Sequence, residues 1–220
     1  YTDAFYYFNA GVRIASGQMH FPELLEPYIW NYLAAPRSLP TPAFTYWQPL
    51  PAFLAALGIR LFGPEPAFGS AQTIFVLLAA TLPLVAYWVA LQLGTRRHAL
   101  LAGALAAFSG IYVVYWSLPE SFTPFALSAS LSLGLAGLGR RSWCWWTWLL
   151  GGVCAGFAHL ARADGLLLVG VVALVAVLPV RSSAPAQGGH VGPPVWRRLA
   201  LAGLSLAGYA VVRGPWYARN

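Results

Sequence analysis

The chain consists of long apolar runs separated by short polar connections. Runs of membrane-spanning length lie at about residues 69–93, 98–118, 122–138, 143–161, 165–180 and 199–212. Because about 20 apolar residues in a helix cross the hydrocarbon core of a bilayer, this pattern predicts about six transmembrane helices, the shorter ones with little tilt or with help from flanking residues. We therefore expect an all-α, polytopic membrane bundle over residues 69–220.

The residues before the first of these runs have a different pattern. Residues 1–17 plot as one amphipathic helix, which Thr2 would cap. Its predicted apolar arc carries Phe5, Phe8, Val12 and Ala15, and its predicted polar arc carries Asp3, Tyr6, Asn9 and Arg13. Residues 49–63 predict an interfacial helix that is too short to span, after a loop at 31–48 that is rich in proline and aromatic residues. Residues 1–68 are thus predicted to be a first outer loop with juxtamembrane helices.

Composition supports a membrane protein and narrows its partners. Hydrophobic residues make up 59% of the chain and charged residues 9%, whereas charged residues approach a quarter of a soluble protein. The 13 basic residues are all arginine, and they interrupt apolar runs instead of clustering on one solvated face. This distribution excludes a nucleic-acid partner. It indicates instead that the arginines are topology signals, which determine the orientation of the chain in the membrane.

The arginines predict an orientation. They fall in every second connection, at residues 94–98, 139–142 and 181–198, which the positive-inside rule makes cytoplasmic. Residues 1–68 and the remaining connections are then external. All six acidic residues lie on that outer side, namely Asp3, Glu23, Glu26, Glu65, Glu120 and Asp164. We therefore expect any chemistry at the external or periplasmic face of the plasma or inner membrane.

Four charged residues on this side predict one polar cavity. Asp3 also has a simpler interpretation as a helix-capping carboxylate, Glu120 as a solvated one, and Arg162 with Asp164 as an interfacial ion pair worth under about 1 kcal/mol. Their appearance on the same side favours a shared site. A structural cover or a partner-binding loop remains the alternative for the region as a whole.

Metal and disulfide chemistry have little support in the sequence. His20 and Glu23 have the spacing of two ligands on one helix face, but two ligands do not make a site. We therefore predict no metal cluster and assign no cofactor, while dependence on a divalent metal stays open. Cys144 and Cys154 lie about 15 Å apart along one predicted helix, too far for a disulfide.

Several segments, in order along the chain, resemble one enzyme family. They are "TDAFYYFNAGVRIASGQ", "FTYWQPLPAFLAALGIRLFG", "GSAQTIFVLLAATLPLVAYWVALQLG", "SLPESFTPFAL", "LARADGLLLV" and "VVRGPWYARN". The chain resembles the N-terminal half of a polyprenyl-phosphate-dependent glycosyltransferase of the GT-C class, family 39, whose members include protein O-mannosyltransferases and aminoarabinose transferases. We accordingly expect a fragment that lacks the first span and the later spans of such an enzyme.

The resemblance implies a function and a set of site residues. Asp3 is the expected catalytic base, Glu120 matches a second acidic residue near the site, and the expected outcome is inversion at the sugar carbon. The residues expected to bind the donor phosphate are Arg13, Arg162, Arg213 and Arg219, and those expected to line the site are Tyr6, Tyr46, Gln48, Asp164 and Trp216. The expected partners are a polyprenyl-phosphate sugar donor, membrane lipid, and a protein, lipid or polysaccharide acceptor.

The chain departs from the family pattern at two places. Ala4 follows Asp3 where relatives often have an acidic pair, and Gln48 stands where many have the lysine of a Lys-Pro-Pro sequence. The donor phosphate must therefore be held by an arginine or in another way. A transporter or flippase of lipid-linked sugars and a non-catalytic scaffold are the alternatives, but acids at helix ends and the lack of an evident repeat favour an enzyme.

Overall fold

The computed structural model describes residues 2–20, 23–26, 39–65, 67–109, 113–179 and 193–219, and these are mostly helical. The helices are α1 (Thr2–Ala15), α2 (Leu50–Phe62), α3 (Ala67–Leu93), α4 (Arg96–Ala107), α5 (Val113–Trp116), α6 (Phe122–Ser142), α7 (Trp145–Ala161), α8 (Gly165–Val177) and α9 (Val195–Arg219). Two short strands, β1 (Leu25–Glu26) and β2 (Thr41–Pro42), complete the described elements.

Three helices carry the membrane character of the protein. Within the described residues, α3, α6 and α9 are long and apolar enough to cross a membrane. This agrees with an all-α membrane bundle. The apolar α8 has 13 residues, or about 20 Å of helix, which is less than the roughly 30 Å of a hydrocarbon core. Three of the six predicted runs therefore form helices that meet the length of a span on their own.

The apolar run at 98–118 does not form one continuous helix, so that expectation was wrong. Helix α4 ends at Ala107, and only the short α5 follows at Val113–Trp116. The Ser109 hydroxyl donates to the backbone oxygen of Ala106 at 3.2 Å. A serine side chain that bonds to a nearby carbonyl competes with helical hydrogen bonding, which is consistent with a helix end here.

Helices α6 to α9 pack around a small apolar core. Trp148 of α7 is fully buried in it, together with Val172 of α8 and Leu201 of α9. Helices α7 and α9 approach closely because glycines face the neighbouring backbone: a Cβ on Gly152 would collide with the carbonyl of Ser205. Small residues allow such close backbone packing between membrane helices.

Arg140, near the end of α6, holds the end of α8. Its guanidinium donates to the backbone oxygen of Val175 at 2.9 Å and also to that of Leu178. The last carbonyl groups of a helix have no partner within the helix, so a cation placed there satisfies them and complements the helix dipole. The pair fixes the ends of α6 and α8 side by side.

Helices α1 and α2 pack against each other, α2 also packs on α3, and both α1 and α2 were predicted. Helix α2 at Leu50–Phe62 matches the predicted helix at 49–63. Arg60 of α2 donates to the backbone oxygen of Ile14 at 2.9 Å and ties the two helices together. The α1 helix is confirmed over Thr2–Ala15, while the predicted capping by the Thr2 side chain and residues 31–38 of the predicted loop lie outside what is described.

The buried face of α1 differs from the predicted apolar arc. Tyr6 was placed on the polar arc but is only 1% exposed, whereas Phe5 was placed on the apolar arc and is 65% exposed. The ring of Tyr6 stacks on Trp47 with centroids 4.5 Å apart. Phe8 and Val12 do pack against a core of α2 and α3 residues. The neighbours of α1, and not hydropathy, decide which ring is buried.

The two strands were not predicted. They pair antiparallel, with Leu25 opposite Pro42 and Glu26 opposite Thr41. The Ala43 backbone N–H extends the pairing by donating to the oxygen of Leu24 at 2.7 Å. This pairing fixes the segment that leads into α2 beside the segment that follows α1.

Candidate active-site cleft

A cleft of about 330 Å³ opens where four parts of the chain meet. These are the start of α1, the segment before α2, the start of α6, and the connection between α7 and α8. Its described lining consists of Asp3, Tyr7, Tyr46, Trp47, Gln48, Ser121, Ala161, Arg162, Ala163 and Asp164. The cleft is therefore polar and charged, although the helices beside it are apolar.

The charged lining matches the polar cavity predicted from the sequence. Asp3 is exposed in the first turn of α1, where the helix dipole favours a carboxylate. Arg162 pairs with Asp164 at 3.3 Å and donates to the Ser121 hydroxyl at 3.4 Å. The guanidinium also lies over the ring of Phe122, 5.2 Å from its centroid. Of the four charged residues predicted to share one cavity, Asp3, Arg162 and Asp164 line this cleft, whereas Glu120 is not among its lining residues.

Glu120 lies next to the cleft and is only 6% exposed. Burial raises the pKa of its carboxyl group, and the negative charge of Asp3 raises it further, while Arg162 and a hydrogen bond from the Ala4 backbone N–H oppose the rise. Neighbouring carboxylates disfavour simultaneous ionisation. The pKa of Glu120 is therefore raised at a position next to Asp3.

Tyr7 is a cleft residue that sequence reasoning missed. Burial raises the pKa of its hydroxyl, as do the charges of Asp3 and Glu120, so the hydroxyl stays protonated. The Gln48 backbone N–H donates to this hydroxyl. Tyr7 follows Asp3 by four residues in α1, and residues at that spacing share a helix face, which is the signal that could have found it. Trp47 and Ser121 were also missed.

Gln48 connects the cleft to the buried Arg213 of α9. The Arg213 guanidinium donates to Gln48 Oε1 at 2.9 Å, and Arg213 itself is 5% exposed. The guanidinium lies over the ring of Tyr217, whose hydroxyl is 3.3 Å from that of Tyr209. The Tyr209 hydroxyl in turn lies 2.6 Å from His159 Nδ1. Arg213 does not line the cleft and contacts it through Gln48.

Four other predicted site residues lie away from the cleft. Arg219 donates to the backbone oxygen of Glu23 at 2.9 Å and to that of Ala43 at 3.1 Å. Arg13 donates to the backbone oxygen of Leu25 at 2.9 Å. These two guanidinium groups hold the strand segments in place. Arg13 and Arg219 were predicted to lie in the site, but the structure places both outside the cleft lining.

Tyr6 and Trp216 belong to the same supporting cluster. The Tyr6 hydroxyl accepts a hydrogen bond from the Phe44 backbone N–H at 3.2 Å, and it also bonds to the carboxyl group of Glu26. Trp216 packs edge-on against Phe44 with centroids 6.0 Å apart. Burial raises the pKa of Glu26, which is 4% exposed. This cluster sits behind the cleft and supports Trp47 in its wall.

The pair of possible metal ligands, His20 and Glu23, is not part of a metal site in the described part of the chain. His20 and Glu23 are exposed, and no group of three or more histidine, cysteine, aspartate or glutamate side chains there could hold a metal ion. The predicted site residues that do line the cleft are Asp3, Tyr46, Gln48, Arg162 and Asp164.

No protein-family model, curated protein or solved structure matches this chain.

Proposed function

We propose that the protein is a membrane glycosyltransferase that moves a sugar from a polyprenyl-phosphate donor to an acceptor hydroxyl, with Asp3 as the general base. The observation that carries the proposal is the exposed Asp3 carboxylate in a polar cleft that also contains Arg162. Both lie at one end of a helical membrane bundle. A lipid-linked sugar presents its reacting carbon at the membrane surface, so an enzyme for it needs polar groups at such a position.

In the proposed reaction, the acceptor oxygen attacks the anomeric carbon and the bond between that carbon and the phosphate oxygen breaks. Asp3 takes the proton of the acceptor hydroxyl, and the leaving phosphate takes the bonding electron pair. Attack from the face opposite the leaving group inverts the configuration at the carbon. A carboxyl group that is exposed to the cleft is suited to this role.

Arg162 is the proposed partner of the leaving phosphate. It lines the cleft, and its present partner Asp164 is largely exposed, with 65% of its side chain accessible. An exposed ion pair of this kind is worth under about 1 kcal/mol. A phosphate that gains negative charge can therefore compete for the guanidinium, which binds phosphate in bidentate fashion.

Glu120 and Tyr7 complete the proposed machinery. The neutral Tyr7 hydroxyl is a hydrogen-bond donor beside the base, and the carboxyl group of Glu120, whose pKa is raised, lies next to it. Both groups would orient or polarise the acceptor. Their raised pKa values follow from burial and from the charge of Asp3. The ordered resemblance of the chain's segments to GT-C glycosyltransferases of family 39 supports the same reaction class.

The test is transfer of radiolabelled sugar by the purified full-length protein in lipid nanodiscs. A panel of polyprenyl-phosphate sugars is offered with peptide, lipid and polysaccharide acceptors, each with and without a divalent cation. We expect covalent transfer from one or two donors. Movement of labelled donor across a vesicle membrane without covalent transfer would identify a transporter or flippase instead. Neither transfer nor movement would leave a scaffold as the better explanation.

A further inference from the structure

Gln48 is a neutral side chain in the charged cleft, and its orientation is determined by chemistry. Its Oε1 accepts a hydrogen bond from Arg213 at 2.9 Å. A guanidinium group only donates, so the oxygen of the amide must face Arg213 and the NH₂ group must point the other way. The side chain lines the cleft, and its Nε2 donates to no protein group within the described residues.

Arg213 is built to hold this orientation. It is 5% exposed and lies over the ring of Tyr217 at 4.8 Å. The main-chain N–H of Gln48 is also engaged, because it donates to the Tyr7 hydroxyl. The Gln48 residue is therefore fixed at both its backbone and its side-chain oxygen. A hydrogen bond from a cation also polarises the amide and strengthens its NH₂ group as a donor.

The charges around Gln48 indicate which oxygen it would bind. The described charged lining consists of Asp3, Arg162 and Asp164, with Arg162 already paired to Asp164. A phosphate at Gln48 would bring more negative charge to a lining with two carboxylates, and an amide supplies no compensating charge. An uncharged hydroxyl of the sugar brings no such repulsion. The phosphate is thus left to Arg162.

We propose that Gln48 is a specificity-determining hydrogen-bond donor to a sugar hydroxyl oxygen, and that Arg213 is the positioning residue that fixes its amide. The inference rests on the proposed glycosyltransferase function and names the group that would recognise the sugar. Gln48 is half-exposed where it lines the cleft. A bound sugar that covers its NH₂ group without offering an acceptor would leave that donor unsatisfied, so such a contact discriminates against sugars that lack the hydroxyl.

The first test compares Gln48→Glu with the wild-type protein on donors in which single hydroxyl groups are replaced by fluorine. The glutamate keeps the hydrogen bond from Arg213, so the variant should fold, but it can no longer donate. Fluorine can accept a weak hydrogen bond and cannot donate one. At one sugar position, the transfer efficiency of the fluoro donor relative to the hydroxyl donor should fall about 10-fold in Gln48→Glu compared with wild type.

The second test uses Gln48→Met, which has nearly the same shape and no donor. Its KM for the intact sugar donor should rise about 10-fold with little change in kcat, as expected for loss of a binding contact. The wild-type protein should lose a similar factor with the monodeoxy donor, and Gln48→Met should lose nothing further with that donor. The matched control Gln18→Met changes an exposed glutamine after α1 and should behave as wild type.

Arg213→Met should lower the discrimination between the intact and the monodeoxy donor as Gln48→Met does, because the amide of Gln48 is then free to rotate. In a Gln48→Met background, Arg213→Met should cause no further loss of this discrimination. Sugar-free polyprenyl phosphate should inhibit the wild type and Gln48→Met equally, because both side chains are uncharged. A weaker inhibition of Gln48→Met with unchanged sugar discrimination would show that Gln48 binds phosphate, and the inference would be wrong.

Failure of the inference and failure of the proposed function have different signatures. Transfer by wild type with unchanged sugar discrimination in all Gln48 variants overturns the inference and leaves the enzyme function standing. If wild type transfers no sugar, binding of methyl glycosides is measured by saturation-transfer NMR. Binding that Gln48→Met abolishes supports the sugar contact without catalysis, and absent or unchanged binding overturns it.

Discussion

The carboxyl group of Asp3 acts on that of Glu120 where the start of α1 meets the residues before α6. The charge of Asp3 raises the pKa of Glu120, and the backbone N–H of Ala4 donates to the Glu120 carboxyl group. The start of α1 is therefore fixed against the start of α6 by the residue that follows the candidate base. This contact places Asp3 at the mouth of the cleft.

Asp3→Asn is expected to lower kcat at least about 10²-fold, because it keeps the size of the side chain and removes its basicity. The thermal unfolding midpoint should change little, since asparagine is also tolerated at the first turn of a helix. Glu23→Gln serves as the matched control, because Glu23 is an exposed acid outside the cleft lining. Normal turnover by Asp3→Asn would end the assignment of Asp3 as the base.

Glu120→Gln is expected to alter the pH dependence of stability. The raised pKa of Glu120 means that the folded protein binds this proton more tightly than the unfolded chain does. Stability from this group is full at acidic pH and is lost as pH rises through the folded-state pKa. Glutamine stays neutral and can still accept from Ala4. The unfolding midpoint of Glu120→Gln relative to wild type should therefore increase from acidic to neutral pH, and a constant difference would contradict this.

Arg219→Ala is expected to loosen the strand segments, because Arg219 donates to the backbone oxygens of Glu23 and Ala43. Loss of these charged hydrogen bonds should destabilise the protein by about 1–3 kcal/mol. Hydrogen exchange should accelerate at the amide of Ala43. Arg141→Ala, at an exposed arginine in the last turn of α6, is the control. Weaker donor binding with unchanged exchange would instead favour the phosphate role first expected for Arg219.

Gly152→Ala is expected to separate α7 from α9, because the added Cβ would collide with the carbonyl of Ser205. Overpacking of this kind typically destabilises by about 1–3 kcal/mol. Gly170→Ala in α8 is the control, since a Cβ there meets nothing within 4 Å. That variant should be neutral or slightly more stable, because alanine favours a helix. Equal unfolding midpoints for the two variants in detergent would contradict the packing argument.

The predicted orientation is tested by labelling introduced cysteines in intact cells. In a background without Cys144 and Cys154, an impermeant maleimide should modify Thr45→Cys from outside and Ser142→Cys only after permeabilisation. Both introduced side chains replace exposed ones. Modification of the two from the same side would overturn the orientation that the arginines predict.

Sequence periodicity predicted the helices whose boundaries are set locally. The α1 and α2 helices and the three long spans follow from apolar runs and from the residues that end them. The burial of Tyr6 and exposure of Phe5 depend on Trp47 and its neighbours, which lie elsewhere in the chain. The strands are two residues each, too short for a period-2 pattern to be recognised.

The candidate site was predictable only as a set of charges on one side. Asp3, Arg162 and Asp164, which the charge distribution groups together, do line one cleft, whereas Glu120 lies beside it. The charge distribution does not separate arginines that face a cleft from those that satisfy backbone carbonyls, because both uses need the same side chain. Arg219 is an example, since its partners follow from the path of the chain between residues 23 and 43.

The contact of α9 with the strand region has a consequence for the order of folding. Trp216 and Arg219 are among the last described residues, and they contact Phe44 and Glu23, which are among the first. Contacts between such distant parts of a chain form late, because a long loop must close before they are gained. During synthesis, the wall of the cleft therefore lacks its support until α9 has been made. In a ribosome-bound chain that ends before α9, the helix α1 that contains Asp3 should already have formed, while the cleft should not yet be closed.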